Sequence, residues 1–564
     1  MPKPHRRVAT AALFVASAIV VTACTGGAED GGPRGTLTFT DSFGFPENLF
    51  PAIAAGNSPA VTNAAIRILP APFRTLPDYT IGVDENLIVG EPTLNVTATR
   101  QIVTYRINPD AVWSDGIEIT AEDFAFTWDL QHSPDPADGG CPALLSTVGY
   151  DRIESVEGSD AGKTVTVTYR APFPDWKALF TLFPAHIMDT GDDVSNCAAV
   201  TRGWPIGTGI PDDISGGPWQ LLAENIDQNS QVLSLTPNPR WYGAGPLLQR
   251  LNFQTVGREP SVLLGALQSG EADLIYPSPQ LDMIRRVQAL APDVVSQTDF
   301  GLVFDHLDLN TANVHLAKSE VRAAFGLALD RAEIVEVTDG AVDDRAKVLN
   351  NRFYVNNQPQ YFDTAPERYR ARDVEAARGR LESVGYVLGS DGVYAHPTDG
   401  RLALQLSTLP NDPLRADTIA VVAAQVREAG FDIEPVIDRD IFEGADAATS
   451  LESRGFDVAL FAWQSSPYVS GNVSLYRTGG AQNYAGVHNA QVDNLLDQLT
   501  TELDEDASAR LANDADRILW EELATIPLYQ VPTFTAWSSR FTGILPNAAG
   551  AGPLWNSEEI SLAG

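Results

Sequence analysis

Apolar positions along this chain recur at two periods, and segments of the two kinds are interleaved. Thr36 to Thr40 alternates polar and apolar residues, the period of a half-buried strand, and is expected to be the first strand. Ile102 to Ile107 reads as another. Ile153-Glu154-Ser155-Val156 and Val165-Thr166-Val167-Thr168-Tyr169 alternate as well, on either side of a Gly-Ser-Asp-Ala-Gly turn, and are expected to form a hairpin. Helical spacing takes over elsewhere. Thr120 can cap a helix over Ala121 to Leu130, with Asp123 at its third position and Phe124 and Trp128 on one face. Val321, Phe325 and Leu329 form a second stripe, and Val374, Ala377, Leu381 and Val384 a third, stopped by Gly385. Ile419 to Ala429 ends at Gly430 and leads into Phe431-Asp432-Ile433, a helix-to-strand step. Leu511, Ala515, Ile518 and Leu519 mark a late helix. Helices and strands mixed without strict alternation predict α/β lobes with mixed sheets.

The N-terminus follows neither period. An apolar run from Ala11 to Val21 follows His5-Arg6-Arg7 and ends in Val21-Thr22-Ala23-Cys24. A basic start, a short apolar stretch and a small-residue cleavage site make a secretory signal, and the run is too short to span a bilayer comfortably. The Val-Thr-Ala-Cys ending resembles the lipobox of bacterial lipoproteins. That resemblance implies cleavage after residue 23 and lipid on the Cys24 thiol; the alternative is an ordinary signal with a chance cysteine. Residues 24–33 are Gly-rich and polar and read as a flexible tether. The protein is therefore expected outside the cytoplasm, lipid-anchored to the outer face of the cell membrane.

Composition narrows the choice further. The 564 residues suffice for two or three lobes, and 44% hydrophobic with 20% charged residues is a globular balance. The formal net charge of -35 argues against nucleic acid and against attraction to anionic lipid headgroups, and weakly favours cationic or zwitterionic ligands. With Cys24 acylated, Cys141 and Cys197 remain. In an oxidising compartment the two are expected to pair, a long-loop bond worth roughly 4 kcal/mol in the chain-entropy model; the alternative is two separately buried thiols.

No motif for covalent chemistry emerges. The chain has no GxSxG turn and no HExxH helix, and its seven histidines are scattered. Carboxylate pairs such as Asp212-Asp213 and Asp343-Asp344 read as solvated surface. Gly158 to Thr164 is close to a phosphate-binding loop but holds three residues between its glycines where four are needed, and a strand rather than a helix follows. No cofactor, metal site or enzymatic activity is expected.

Several segments, in order, resemble the extracytoplasmic solute-binding proteins of ABC transporters, family 5, the oligopeptide-, dipeptide- and nickel-binding branch, in its actinobacterial type. The strongest is Ala111 to Trp128, with its Trp-Ser-Asp-Gly and Thr-Ala-Glu-Asp elements. Gly216-Gly217-Pro218-Trp219, Asn238 to Gly243, Leu264 to Asp273, Glu320 to Arg331 and Ile526-Pro527-Leu528-Tyr529 follow in family order. The resemblance implies a periplasmic-binding-protein-like two-lobed clamp with an accessory third domain. Lobe I is expected from residues 34–75, 205–300 and 519–564, the accessory domain from 76–204 with both Cys141 and Cys197, and lobe II from 301–518. Crossings near Phe300 to Leu309 and Leu519 to Tyr529 would form the hinge, with Asp308 and Asn310 as hinge hydrogen-bonders.

The same resemblance implies function. The clamp would bind a peptide or a similar small polar ligand, close on it, and deliver it as a monomer to ABC permease and ATPase subunits. The alternative is a non-transport lipoprotein that regulates or assembles cell-envelope components on this scaffold. Ligand-binding candidates are Phe43, Phe45 and Asn48 after the first strand, Trp204 and Trp219 near a crossing, Trp463, Gln464, Ser465 and Ser466 at the end of the Phe456 to Trp463 strand, and Asn483 and Tyr484 in a later loop. Many members hold the peptide ammonium with an aspartate shortly after that strand. Here no acid occurs from Gln464 through Tyr476, so either another acid serves or the ligand is not a standard free peptide.

Overall fold

Two long strands tie the molecule together. In the computed structural model, which describes residues 34–564 except 43, 98, 99, 258 and 411, ten strands form one mixed sheet. Numbered among themselves, they are β1 (Thr36–Asp41), β2 (Trp219–Asp227), β3 (Val232–Pro237), β4 (Arg250–Thr255), β5 (Leu274–Ile275), β6 (Val294–Leu309), β7 (Ala403–Thr408), β8 (Asp432–Ile437), β9 (Val458–Gln464) and β10 (Thr525–Ser538). Their order across the sheet is β8-β7-β9-β6-β10-β5-β1-β4-β3-β2. The late part of β10 lies between the early part of β6 and β5, where Leu274 pairs with Trp537. The far end of β6 sits beside β9, from Val303↔Gln464 to Leu309↔Val458. The signal, Cys24 and the tether fall outside the described residues. Among the described residues no helix is long and apolar enough to cross a membrane.

Three buried cores flank this frame. The first gathers Leu37, Phe39, Trp219, Leu235 and Leu251 around β1–β4. The second packs Val321, Phe325, Leu381 and Val422 against Leu307, Leu406, Val458 and Leu460. The third covers a separate four-stranded sheet (Thr93–Val96, Gln101–Arg106, Thr164–Tyr169, Ile153–Ser159) with Trp113, Phe124 and Phe180. The helical stripes read from the sequence fold as helices at Ser319–Leu327, Val374–Ser383, Pro413–Glu428 and Glu505–Glu522, each burying its apolar face.

The helix Ala121–Gln131 shows how the third core is joined to the first. Thr120 and Asp123 make a reciprocal capping box, and Asp123 Oδ1 accepts from Trp113 Nε1 at 3.2 Å and Ala185 N at 3.0 Å. Its Phe124–Trp128 face packs in the third core; the opposite face, Phe126 and Leu130, packs in the first. Cys141, bonded to Cys197 with Cα atoms 5.1 Å apart, also lies in the first core, as do Val200 and Trp204. Packing therefore joins much of the 121–204 segment to the first core. The Gly158–Gly162 segment is a hairpin turn, with Asp160, Ala161 and Gly162 at φ of 53°, 55° and 84°.

The second core also holds a fully buried ion pair. Arg352 donates to Asp516 Oδ1 at 2.9 Å and to Thr525 Oγ1 at 2.7 Å, and its guanidinium lies 4.5 Å from the Trp520 ring centroid. Removing one partner strands a buried charge. Asp516→Ala should destabilise the protein by about 3–5 kcal/mol in urea unfolding; a loss under about 1 kcal/mol would mean that the pair is solvated.

Candidate functional site

Strand β9 ends at Gln464, and the loop that follows leaves the sheet for the third core. Ser465 N donates to Leu302 O at 2.8 Å, holding the loop start against β6. Ser466 Oγ accepts from Tyr468 N at 3.1 Å and bends the loop. The Tyr468 hydroxyl then donates to Lys177 O at 3.0 Å, and Ser470 N donates to Asp175 Oδ2 at 3.0 Å. The Ser470 hydroxyl donates to the same carboxylate oxygen. Lys177 Nζ lies 3.3 Å from Glu505 Oε1, and Leu503 packs on the third core. Two stretches nearly 300 residues apart thus meet through directed hydrogen bonds.

Behind this contact lies a cavity of about 470 Å³. Its walls come from the helix Pro59–Ile68 (Thr62, Ala65, Ile66), from the segment that carries the third core (Tyr150, Phe173, Asp175, Leu179) and from the loop after β9 (Ser466, Tyr468, Ser470). The volume is that of a site for a drug-sized ligand. The lining is mostly apolar and aromatic, and among the described residues Asp175 is its one charged side chain. Asp175 is 7% exposed. Burial raises its carboxyl above the usual carboxylate value, and the two Ser470 hydrogen bonds oppose this.

A second cavity, about 320 Å³, adjoins the first through Thr62, Ile66 and Thr181. Its charges are unequally engaged: among the described residues Arg67 has no carboxylate within 4.0 Å, donates only to the carbonyls of Asn63 and Ala551, and leaves its Nε without a partner. Arg74 pairs with Asp84 and Glu558 at 3.1 Å each. Arg67 is buried, and desolvation lowers its guanidinium to about 9 against the pull of Glu558. Among the described residues no group of three or more His, Cys, Asp or Glu side chains could hold a metal ion.

The structure separates the residues expected at the site. Ser466 lines the first cavity. Trp463 and Tyr484 stand together away from its lining: their rings stack at 5.7 Å, and Trp463 also stacks on His306 at 5.8 Å, with Phe461 edge-on at 5.2 Å. Gln464 is exposed beside them, and Ser465 is buried against Phe353 O.

Others are held in packing or scaffold contacts. Trp219 is fully buried, its Nε1 donating to Ser557 Oγ at 2.9 Å; Trp204 is buried edge-on to Phe50. Asn48 is buried with both ends engaged: Nδ2 donates to Arg202 O, and Oδ1 accepts from Phe50 N and Trp204 N. Asn483 likewise braces its own loop through Arg477 O, Val487 O and Val487 N. Phe45 packs on the first core. Phe43 lies outside the described residues. Asn310, expected as a hinge hydrogen-bonder, donates to Arg454 O and Phe456 O. Asp308 Oδ1 lies 3.2 Å from His306 Nε2, too poorly aligned for a hydrogen bond.

Asp175 was missed. It sits in Phe173-Pro174-Asp175-Trp176, and an acid between proline and tryptophan in an apolar stretch was the available signal.

The model of the bacterial extracellular solute-binding proteins, family 5, matches residues 92–486. The chain is 28% identical over 515 residues to the oligopeptide-binding protein OppA of Mycobacterium tuberculosis, across 89% of this chain and 80% of that one. It is 26% identical over 402 residues to the probable monoacyl phosphatidylinositol tetramannoside-binding protein LpqW of the same species, across 65% of this chain and 59% of that one. Among solved structures, the periplasmic EDTA-binding protein EppA superposes with a TM-score of 0.84 at 27% identity, covering 94% of this chain and 97% of that one.

The raised carboxyl of Asp175 has a measurable consequence. A carboxylate whose folded pKa exceeds its unfolded pKa favours the fold most when protonated, below the unfolded value, and loses that contribution as pH rises through the folded one. The unfolding free energy of Asp175→Asn relative to wild type should therefore shift in the variant's favour as pH rises above about 4. Urea titrations at each pH read this difference, and a pH-independent difference would contradict it.

Proposed function

The chain belongs to the bacterial extracellular solute-binding proteins of family 5, and on that premise we propose that it captures a peptide or a similar small polar solute by hinge closure and delivers it to the permease and ATPase of an ABC importer. The observation that carries the reading is the contact between the loop after β9 and Asp175, which closes a cavity walled by three parts of the chain. A ligand in that cavity touches all three at once. It gains most from the closed arrangement, and that difference in affinity is what drives closure. The likeness to OppA supports peptides as the ligand class. The domain division proposed from the sequence is kept, with 76–204 as the accessory domain leaning on lobe I through Phe126, Leu130 and Cys141. The protein acts as a monomer, held at the outer face of the membrane by lipid on Cys24, and makes or breaks no covalent bond in its ligand.

A second reading draws on the likeness to LpqW: the same scaffold as an envelope lipoprotein that binds a glycolipid or glycan partner without transport. The two differ in what a deletion strain loses. Under uptake, deletion abolishes accumulation of labelled peptide and leaves envelope glycolipids unchanged; the reverse pattern would favour the envelope role. Protein purified from its own host should carry a co-purified molecule of peptide-like mass in native mass spectrometry. Cys24→Ser should move the protein from the membrane fraction to the medium; retention on the membrane would refute the anchor.

A further inference from the structure

Arg67 brings a buried charge to the second cavity with no opposite charge against it. It sits in the last turn of the helix Pro59–Ile68, is 3% exposed and lines the cavity. A guanidinium has five N–H donors. Two are spent on bracing, Nη1 on Asn63 O and Nη2 on Ala551 O at 3.5 Å; among the described residues the other three find no acceptor. The Phe253 ring, its centroid 5.6 Å from the guanidinium carbon, adds a cation–π contact. Two acids line the same cavity, Asp84 and Glu558, and Arg74 holds both. Glu558 acts on Arg67 only from a distance, and desolvation outweighs it, lowering the guanidinium to about 9. A desolvated cation with unused donors is incompletely compensated, and what it lacks is an oxyanion.

The walls set the rest of the ligand. The Gly216-Gly217 turn closes one side: both amides donate to Ile68 O, at 2.8 and 3.0 Å, and a Cβ on Gly217 would lie 2.4 Å from Arg67 O. Trp241, Tyr242 and Trp555 supply aromatic surface, and their own donors are taken by Ala244 O, Gly216 O and Leu545 O. These rings offer apolar contact and no free hydrogen-bond donor. The volume of about 320 Å³ is at the small end of ligand sites. None of the lining residues falls between 301 and 518, so the loop after β9 takes no part. We propose that this cavity is a second binding site, for a small organic monocarboxylate with a ring-sized apolar body held on the spare N–H groups of Arg67, and that it fills without hinge closure. A carboxylate matches the planar guanidinium fork. A phosphate dianion would bring a second negative charge beside Asp84 and Glu558 with no second free cation to meet it. The formal net charge of -35 opposes approach of any anion. That field is screened beyond about 10 Å at 0.1 M salt, whereas contact with Arg67 is made in a desolvated site, where attraction is strongest.

The test uses the mature chain with benzoate, its neutral isostere benzamide, phenyl phosphate and inorganic phosphate. Calorimetry reads affinity, and small-angle scattering reads shape. Wild type should bind benzoate about tenfold or more tightly than benzamide, the margin of charge-assisted over neutral hydrogen bonds. It should bind either phosphate more weakly than benzoate, and no probe should contract it. In Arg67→Met the preference for benzoate over benzamide should vanish; in Arg67→Lys, which keeps the charge and loses the fork, it should fall severalfold. Anomalous scattering from 4-bromobenzoate soaked into wild-type crystals should place bromine in the cavity, which locates the site whether or not Arg67→Met folds. The site is overturned by benzamide bound as tightly as benzoate, by a phosphate bound as tightly, by bromine elsewhere, by retention of the preference in Arg67→Met, or by no binding of benzoate at millimolar concentration. Contraction on benzoate overturns its independence of the clamp. Each of these failures leaves the uptake reading standing, since that rests on the first cavity.

Discussion

The antiparallel pairing of β6 with β10 is the constraint on which the molecule turns. These strands carry the chain between its two halves and keep both in one sheet, so any relative motion of the lobes must bend them without breaking them. Their ladder shifts register between Phe300 and Phe304 and again between Asp305 and His306. At the first break side chains take over from the ladder. Gln530 Nε2 donates to Gly301 O and to Asn357 Oδ1, Asn357 Nδ2 donates to Phe300 O, and the Tyr79 hydroxyl donates to the same carbonyl. Pro532, which has no N–H to give, stands opposite Phe300. Gly301 has its backbone against Ala548, where a Cβ would come within 3.0 Å of the carbonyl oxygen. Side-chain bonds of this kind follow a few degrees of rotation more readily than a rigid ladder does, and the buried backbone carbonyls stay satisfied.

On the proposed reading, in which the break in the β6–β10 ladder is the hinge, the contact at Asp175 is its counterpart. A hinge fixes the axis of motion; something at the mouth of the cleft must decide where the motion stops. Burial of a carboxylate is unfavourable by itself and becomes tolerable when hydrogen bonds and a counter-charge arrive together. Under the proposed closure, burial of Asp175 would make the closed state sensitive to what occupies the cavity. This sensitivity is what separates a clamp from a rigid two-lobed protein with a hole in it.

Local features were legible in the sequence because short-range physics dictates them. The Thr120–Asp123 capping box, the turn at Asp160–Gly162 and the helical stripes after Val321 and Val374 depend on neighbours within a few residues, and each folds as expected. The order of segments across the chain identified the clamp. The site was less legible. Trp204 and Trp219 fill the first core, yet a tryptophan beside a crossing reads alike whether it faces a core or a cleft. Asn48 and Asn483 brace loops with every polar atom in use, which spacing alone does not reveal. Asp175 meets a partner 295 residues away, and no local pattern encodes such a meeting.

The central claim is that this chain is a clamp whose lobes move about the β6–β10 pair and are held shut by what lies between them. Double electron–electron resonance between spin labels at exposed Val194 and exposed Val387 tests it most directly. The account predicts a broad or bimodal distance distribution in ligand-free protein that collapses to a single narrow population on saturation. A single, narrow distance that ligand leaves unchanged would contradict it.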